Sequence, residues 1–197
     1  GMTNMRIGGN ILFAIRGTYS LADIRLAQGR LREAIRTYEQ SLQLATEQGE
    51  SVLRGTADLY LRLSELYYEQ GNLDAAAQHL QTGENLGKQA TIPHWQYRLS
   101  LAQARIKEAQ GDLDGALDLL DEAERQHVRT PVPVVRPIDA LKTRVWIAQG
   151  RLNEALDWAR KRGLSVDDKL SYLHEFEYVT LARVLITEYV TNDGDRF

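Results

Sequence analysis

Four copies of one short string constrain what this chain can fold into. Ala27-Gln28-Gly29-Arg30-Leu31 is followed by Ala34, and Glu69-Gln70-Gly71-Asn72-Leu73 by Ala76. Ala109-Gln110-Gly111-Asp112-Leu113 is followed by Ala116, and Ala148-Gln149-Gly150-Arg151-Leu152 by Ala155. The glycines are 42, 40 and 39 residues apart (29 to 71, 71 to 111, 111 to 150), with Leu at +2 and Ala at +5 in every copy. A glycine that closes one helix can take a left-handed backbone and turn the chain tightly. Leu at +2 fills the space between the two helices of the resulting hairpin, and Ala at +5 is small where those helices cross.

Apolar residues recur at helical spacing on both sides of each turn, as in Tyr60, Leu63, Leu66 and Tyr67 before Gly71, or Leu31, Ala34, Ile35, Tyr38 and Leu42 after Gly29. The pattern predicts helix pairs at about 9–28 and 31–48, 51–70 and 73–88, 93–110 and 113–127, and 138–149 and 152–162, then a last helix at about 169–190. Pro131, Pro133 and Pro137 make Thr130 to Pro137 an extended linker, and Pro137 is placed to occupy the first position of the next helix. The expected fold class is therefore all-α, a tetratricopeptide-like solenoid of helical hairpins wound as a right-handed superhelix, with about four pairs and a final helix. Its expected extent is one repeat domain over 8–190, with repeats at about 9–48, 51–88, 93–127 and 138–162 and a partial repeat at 169–190. The period of about 40 exceeds the ~34 residues of tetratricopeptide repeats proper, so helices or inter-pair loops are longer. Gly1-Met2, ahead of a second methionine at Met5, reads as an expression remnant.

Composition narrows the function classes. A net charge of −3 argues against direct DNA contact from this chain, because nucleic-acid binders carry a basic excess on at least one face. The chain has no cysteine, which removes disulfides, thiol catalysis and thiolate metal sites and fits a reducing cytoplasm, the expected location. No apolar run approaches the ~18 residues of a membrane helix, and no signal peptide is visible.

Several strings resemble the helical repeat domain of MalT-like regulators, which are ATP-dependent, LuxR-type bacterial transcription factors. They are Gly17, Tyr19 and Ala22 before the first Gln-Gly, then Leu66-Tyr67-Tyr68-Glu69 with Asn72-Leu73-Asp74-Ala75-Ala76, and His79-Leu80 with Gly83 and Leu86-Gly87. Gln110 to Ala116 with Leu120-Asp121-Glu122-Ala123-Glu124, Trp146 with Gln149-Gly150, Trp158, Gly163-Leu164 and Leu181 to Ile186 follow in family order. The resemblance spans about residues 8–190. It implies a ligand-sensing and protein-interaction domain that couples an inducer or a partner to activation of transcription, as part of a larger multidomain protein. It also implies ATP only in an upstream domain, since no Gly-x-x-x-x-Gly-Lys-Ser/Thr string is present here, and thus no cofactor for this chain. The last helix departs from the family pattern: Glu188-Tyr189 falls where Gln-Gly belongs, and Asn192-Asp193-Gly194-Asp195 reads as a shifted turn.

No constellation is assembled for catalysis, so a non-enzyme is expected. His79, His94, His127 and His174 sit in different repeats, and His174-Glu175 lacks the second histidine of a zinc helix, so no metal site is expected. Asp121-Glu122 and Asp167-Asp168 suit solvated faces and caps, Gly8-Gly9-Asn10 a helix-start loop, Trp146 and Trp158 the core, and Trp95 a staple at a helix entry. The first helix of each pair usually lines the concave side of such solenoids. Anchored on the glycines, that face carries Arg16, Tyr19 and Asp23, then Asp58, Glu65 and Tyr68, then Arg98, Arg105 and Arg144. Aromatic rings beside arginines and carboxylates suit a polar small molecule or a peptide segment, while ion pairing between helices is the plainer use of the same residues. The expected partners are a protein or a second copy of the chain, with a small-molecule inducer as the other ligand class. The alternative to the regulator is a tetratricopeptide-type scaffold that grips a partner peptide or protein with no inducer.

Overall fold

The computed structural model describes residues 17–47, 55–88, 94–127 and 134–194, and in them the structured elements are helices. Helix α1 is described over residues 17–27, and α2 (Leu31–Glu47) completes the first hairpin. The second hairpin is α3 (Thr56–Glu69) and α4 (Leu73–Gly87), followed by α5 (Trp95–Ala109) and α6 (Leu113–Gln126). Then come α7 (Ile138–Ala148), α8 (Leu152–Arg162), a 3₁₀ turn (Tyr172–His174) and α9 (Glu175–Gly194). Gly1-Met2, Gly8-Gly9-Asn10, Pro131 and Pro133 lie outside the described residues.

The repeat slots do what their chemistry requires. Gly29, Gly71, Gly111 and Gly150 all have positive φ, between 72° and 81°. After each of them the next amide donates to a carbonyl five residues back: Arg30 to Arg25, Asn72 to Tyr67, Asp112 to Lys107 and Arg151 to Trp146, at 2.8–3.0 Å. A Cβ at any of the four glycines would meet nothing within 4 Å, so the backbone angle selects glycine there, not space. The alanines at +5, Ala34, Ala76, Ala116 and Ala155, are each fully buried, at 0% exposure.

The residue after each glycine starts the second helix in one of two ways. Asn72 and Asp112 are N-caps whose side chains accept from the amides of Ala75 (3.1 Å) and Gly115 (3.0 Å). Arg30 and Arg151 instead pair with the carboxylates of Glu33 (2.6 Å) and Glu154 (2.8 Å) in the first turn. The hydrogen bond from Lys107, with that from the Gly115 amide, holds the Asp112 carboxyl below the usual carboxylate range. A lowered folded-state value means that the Asp112 contribution is present above the carboxyl's unfolded value and is lost as pH falls through the folded one. Asp112→Asn keeps the cap acceptor and removes the titration, so the variant is expected to lose less melting temperature than the parent between pH 7 and pH 3. Equal losses would remove Asp112 from the acid response.

Two compact units divide the chain, Gly1–Ile106 and Lys107–Phe197. In the first, Ala22, Ala34, Ile35 and Tyr38 pack with Leu59, Leu63 and Leu66, joining α1 and α2 to one face of α3. The opposite face of α3, with Ala57 and Leu61, joins Ala76 and Leu80 of α4 and Trp95, Leu99, Ala102 and Ile106 of α5. In the second unit, Ala140, Ala155, Trp158, Ala159, Leu181 and Val184 close a core shared by α7, α8 and α9.

Three sequence expectations are corrected. Pro137 is the N-cap of α7, with extended backbone, and Ile138 is the first helical residue. The last helix begins at Glu175 instead of about 169 and runs on to Gly194. Its start is delayed because Asp168 accepts from the Ser165 amide (2.8 Å) and Ser165 Oγ from the Asp167 amide (3.2 Å), which favours a turn over a helix there. Leu170 and Tyr172, inside the range expected to be helical, are 77% and 81% exposed. Trp146 is half-buried, while Trp158 is in the core. On α9 the side away from the core is also apolar: Val179, Ile186, Tyr189 and Val190 are exposed.

Candidate ligand- and partner-binding face

The first unit gathers a polar cluster on the first helices of consecutive hairpins, α1, α3 and α5. The guanidinium of Arg98 on α5 pairs with Asp58 on α3, the two side chains being 25% and 16% exposed. One helical turn after Asp58, Arg62 pairs with Glu65 at 3.3 Å. Farther along, Arg105 on α5 pairs with Glu69 on α3 (2.6 Å) and lies 4.3 Å over the ring of Tyr68. From α1, the Tyr19 hydroxyl donates to the Gly55 carbonyl at 3.4 Å, and its ring lies 5.8 Å from that of Tyr38 on α2.

Electrostatics bind this cluster together. Burial pushes the Tyr19 hydroxyl far above the usual phenol range, and the nearby Asp58 carboxylate pushes it further. Burial also pushes Tyr38 up to about 12, against the opposing pull of Arg62 and with help from Asp23, Asp58 and Glu65. Both phenols therefore stay neutral across the physiological range. Arg62 itself loses hydration by burial, yet the carboxylates of Glu65, Asp58 and Asp23 hold its charge more firmly than usual.

The cluster retains unused hydrogen-bonding capacity. Arg62 Nε and Arg98 Nη2 are buried and have no acceptor. Each guanidinium already has a carboxylate, so these two N–H groups are the donors the cluster leaves unanswered. Nothing in the arrangement aligns a nucleophile with a base, and the described residues contain no group of three or more His, Asp or Glu that could hold a metal ion.

Of the residues singled out from sequence, Tyr19, Asp23, Asp58, Glu65, Tyr68, Arg98 and Arg105 lie in the first unit. The ion pairs and charge interactions connect Tyr19, Asp23, Asp58, Glu65 and Arg98 through Tyr38 and Arg62, and Tyr68 with Arg105 through their stacking. Arg144 is on α7 in the second unit, 5.2 Å from the ring of Phe176 on α9. Arg16 lies outside the described residues. Sequence reasoning missed Tyr38, Arg62 and Glu69. Arg62-x-x-Glu65 is a helical ion-pair spacing, and Glu69 directly precedes Gln70-Gly71, so both were findable. Tyr38 sits in the apolar register of a second helix, where its hydroxyl gave no signal.

Comparison with known proteins fits these hairpins. The sequence matches the MalT-like TPR region over residues 3–194. The chain belongs to the MalT-like TPR region family. This MalT-like region has no significant match among curated proteins. Its fold is similar to a point variant of a Podosopora anserina putative kinesin light chain with nearly identical TPR-like repeats, with a TM-score of 0.64, 17% identity and coverage of 92% of this chain and 90% of that one. BtubC (BKLC) from P. vanneervenii gives 0.59 and 15% identity, covering 98% of this chain and 81% of that one. A chain of the APC/C hetero-tetramer Cut9-Hcn1 gives 0.56 and 18% identity over 84% of this chain and 32% of its own length. At these identities the likeness is one of fold, and it places the MalT-like region among tetratricopeptide-type repeats.

Proposed function

We propose that this MalT-like region is the ligand-sensing and protein-interaction domain of a LuxR-type transcriptional regulator, coupling an inducer or partner to activation of transcription. The observation that supports ligand sensing is the first-helix cluster around Asp58, Arg62 and Arg98, whose two buried guanidinium N–H groups have no acceptor. An oxygen-rich ligand that satisfied them would bind one arrangement of α1, α3 and α5 better than another, and only such a difference lets a ligand shift a resting state towards an active one. Tyr19, Asp23, Asp58, Glu65, Tyr68, Arg98 and Arg105 are the residues assigned to that face. No catalytic step is assigned to the domain.

The test is thermal melting of the chain against sugars, nucleotides and amino acids. A ligand that binds only the folded state adds about 2.7 kcal/mol at a hundredfold excess over its dissociation constant. A saturable rise in midpoint that disappears in Arg105→Ala or Tyr68→Ala is the expected result. No shift from any class would overturn small-molecule sensing at this face. One observation favours a second reading, a scaffold that holds a partner protein without an inducer: the exposed apolar stripe of Val179, Ile186, Tyr189 and Val190 on α9.

A further inference from the structure

The repeat gives each first helix two faces, which are set by distance from the turn glycine. On α3, Leu63 and Leu66, eight and five residues before Gly71, pack back onto α1 and α2. On α7, Lys142, eight before Gly150, reaches back to Asp121 and Glu124 of α6 at 2.6 and 2.5 Å. The positions ten and seven before the glycine lie on the other side of the helix: Leu61 and Ser64 on α3, Ala140 and Thr143 on α7. All four are buried. Leu61 packs with Ala76 and Leu80 of α4, and Ala140 with Ala155, Trp158 and Ala159 of α8. This forward face is the one that each second helix covers.

On α9 the two faces part company. With Tyr189 in the glycine slot, Leu181 and Val184 take the backward positions and are buried in the core with α7 and α8. Val179 and Ala182 take the forward positions and are exposed, as are Ile186, Tyr189 and Val190 along the same side. Ala182 keeps a small residue where Ser64 and Thr143 meet their second helices, so a helix can approach α9 closely there. Among the described residues, α9 has a complete first-helix pattern with its forward face uncovered.

Charge narrows the occupant. Pairing the forward faces of two copies of α9, in either direction, brings the two Arg183 side chains together, and like charges work against such an interface. The start of α9 presents the exposed carboxylate of Glu175. On α7 the first-turn carboxylate of Asp139 meets Arg162 from the basic last turn of α8 at 3.5 Å.

We propose that the forward face of α9 docks one amphipathic helix of a partner protein, antiparallel to α9 and built like this chain's own second helices. Its apolar side carries leucine and alanine against Val179, Ala182 and Ile186, and its last turn is basic beside Glu175. The docking rests on the second reading above, that the α9 stripe holds a protein, and names what that protein presents.

The probe is a synthetic peptide with the α8 sequence from Leu152 to Arg162, held helical by a staple joining the exposed positions of Asn153 and Asp157. In ¹H–¹⁵N correlation spectra of the whole chain, it is expected to move the amide signals of Val179, Ala182 and Ile186 saturably. The signals of Ala140 and Thr143, already under α8, should stay in place. Ala182→Leu, at an exposed position, should leave the melting midpoint unchanged and weaken the peptide about tenfold by filling the crossing. Glu175→Gln should weaken it by about threefold, the size of an exposed ion pair. No movement of the α9 signals, equal movement with a stapled peptide of scrambled order, or full affinity in Ala182→Leu would overturn the proposal. A concentration-dependent dimer in sedimentation that Ile186→Glu abolishes would keep the stripe as an interface and overturn the docked helix.

Discussion

Ala76→Leu is expected to destabilise the chain by about 3 kcal/mol, near the upper end of what overpacking a well-packed core costs. Ala76 is fully buried in the core cluster that joins Ala57 and Leu61 of α3 to Leu80 of α4. Three added carbons at the crossing cannot be accommodated by a side-chain rotation, because the crowding atoms belong to the two helices themselves. They must separate, and the contacts along the whole hairpin loosen. In a chain of this size the loss corresponds to a fall of about 10 °C in melting temperature. Gln78→Leu, two residues along on the exposed side of α4, is the control and should stay within about 0.5 kcal/mol of the parent. Equal behaviour of the two variants would mean that the +5 alanine does not set the helix crossing.

Gly87→Ala is the second large effect, and it runs against local propensity. In an exposed helix interior the change stabilises by about 1 kcal/mol. At Gly87 a new Cβ would stand 2.2–2.4 Å from Cε2, Cζ2 and Nε1 of the Trp95 ring. Trp95 is 4% exposed and packed with Ala57, Leu61 and Leu99, so the ring has little room to retreat. It also follows His94, whose φ of 56° is the only left-handed value at a non-glycine among the described residues. We expect a net loss of about 2 kcal/mol. Trp95→Leu is destabilising by itself, but it removes the rigid ring. In a double-mutant cycle the Gly87→Ala penalty should therefore shrink by at least about 1 kcal/mol on the Trp95→Leu background. Additive effects would place the clash elsewhere.

The hairpins were legible because each turn repeats a constraint that admits few residues. A left-handed carbonyl-capping turn selects glycine, a helix crossing selects alanine, and both recur in one register at Gly29, Gly71, Gly111 and Gly150. The start of α9 was not legible, since the turn that delays the helix rests on the side chains of Ser165 and Asp168. Hydrophobic period cannot report a side chain that caps a turn.

The candidate face was legible in part. Inter-helix ion pairing was the plainer use expected of these residues, and Asp58 with Arg98 and Glu69 with Arg105 form such pairs. The spare donors on Arg62 and Arg98 depend on which nitrogen each carboxylate occupies, and no spacing rule carries that information.

The central claim, that a ligand is sensed on the first-helix face of the first unit, is tested most directly by amide hydrogen exchange with whichever compound raises the melting midpoint. Slower exchange in α1, α3 and α5, little change in α9, and loss of the protection in Asp58→Asn are expected. Protection confined to other helices, or protection that survives Asp58→Asn undiminished, would contradict it.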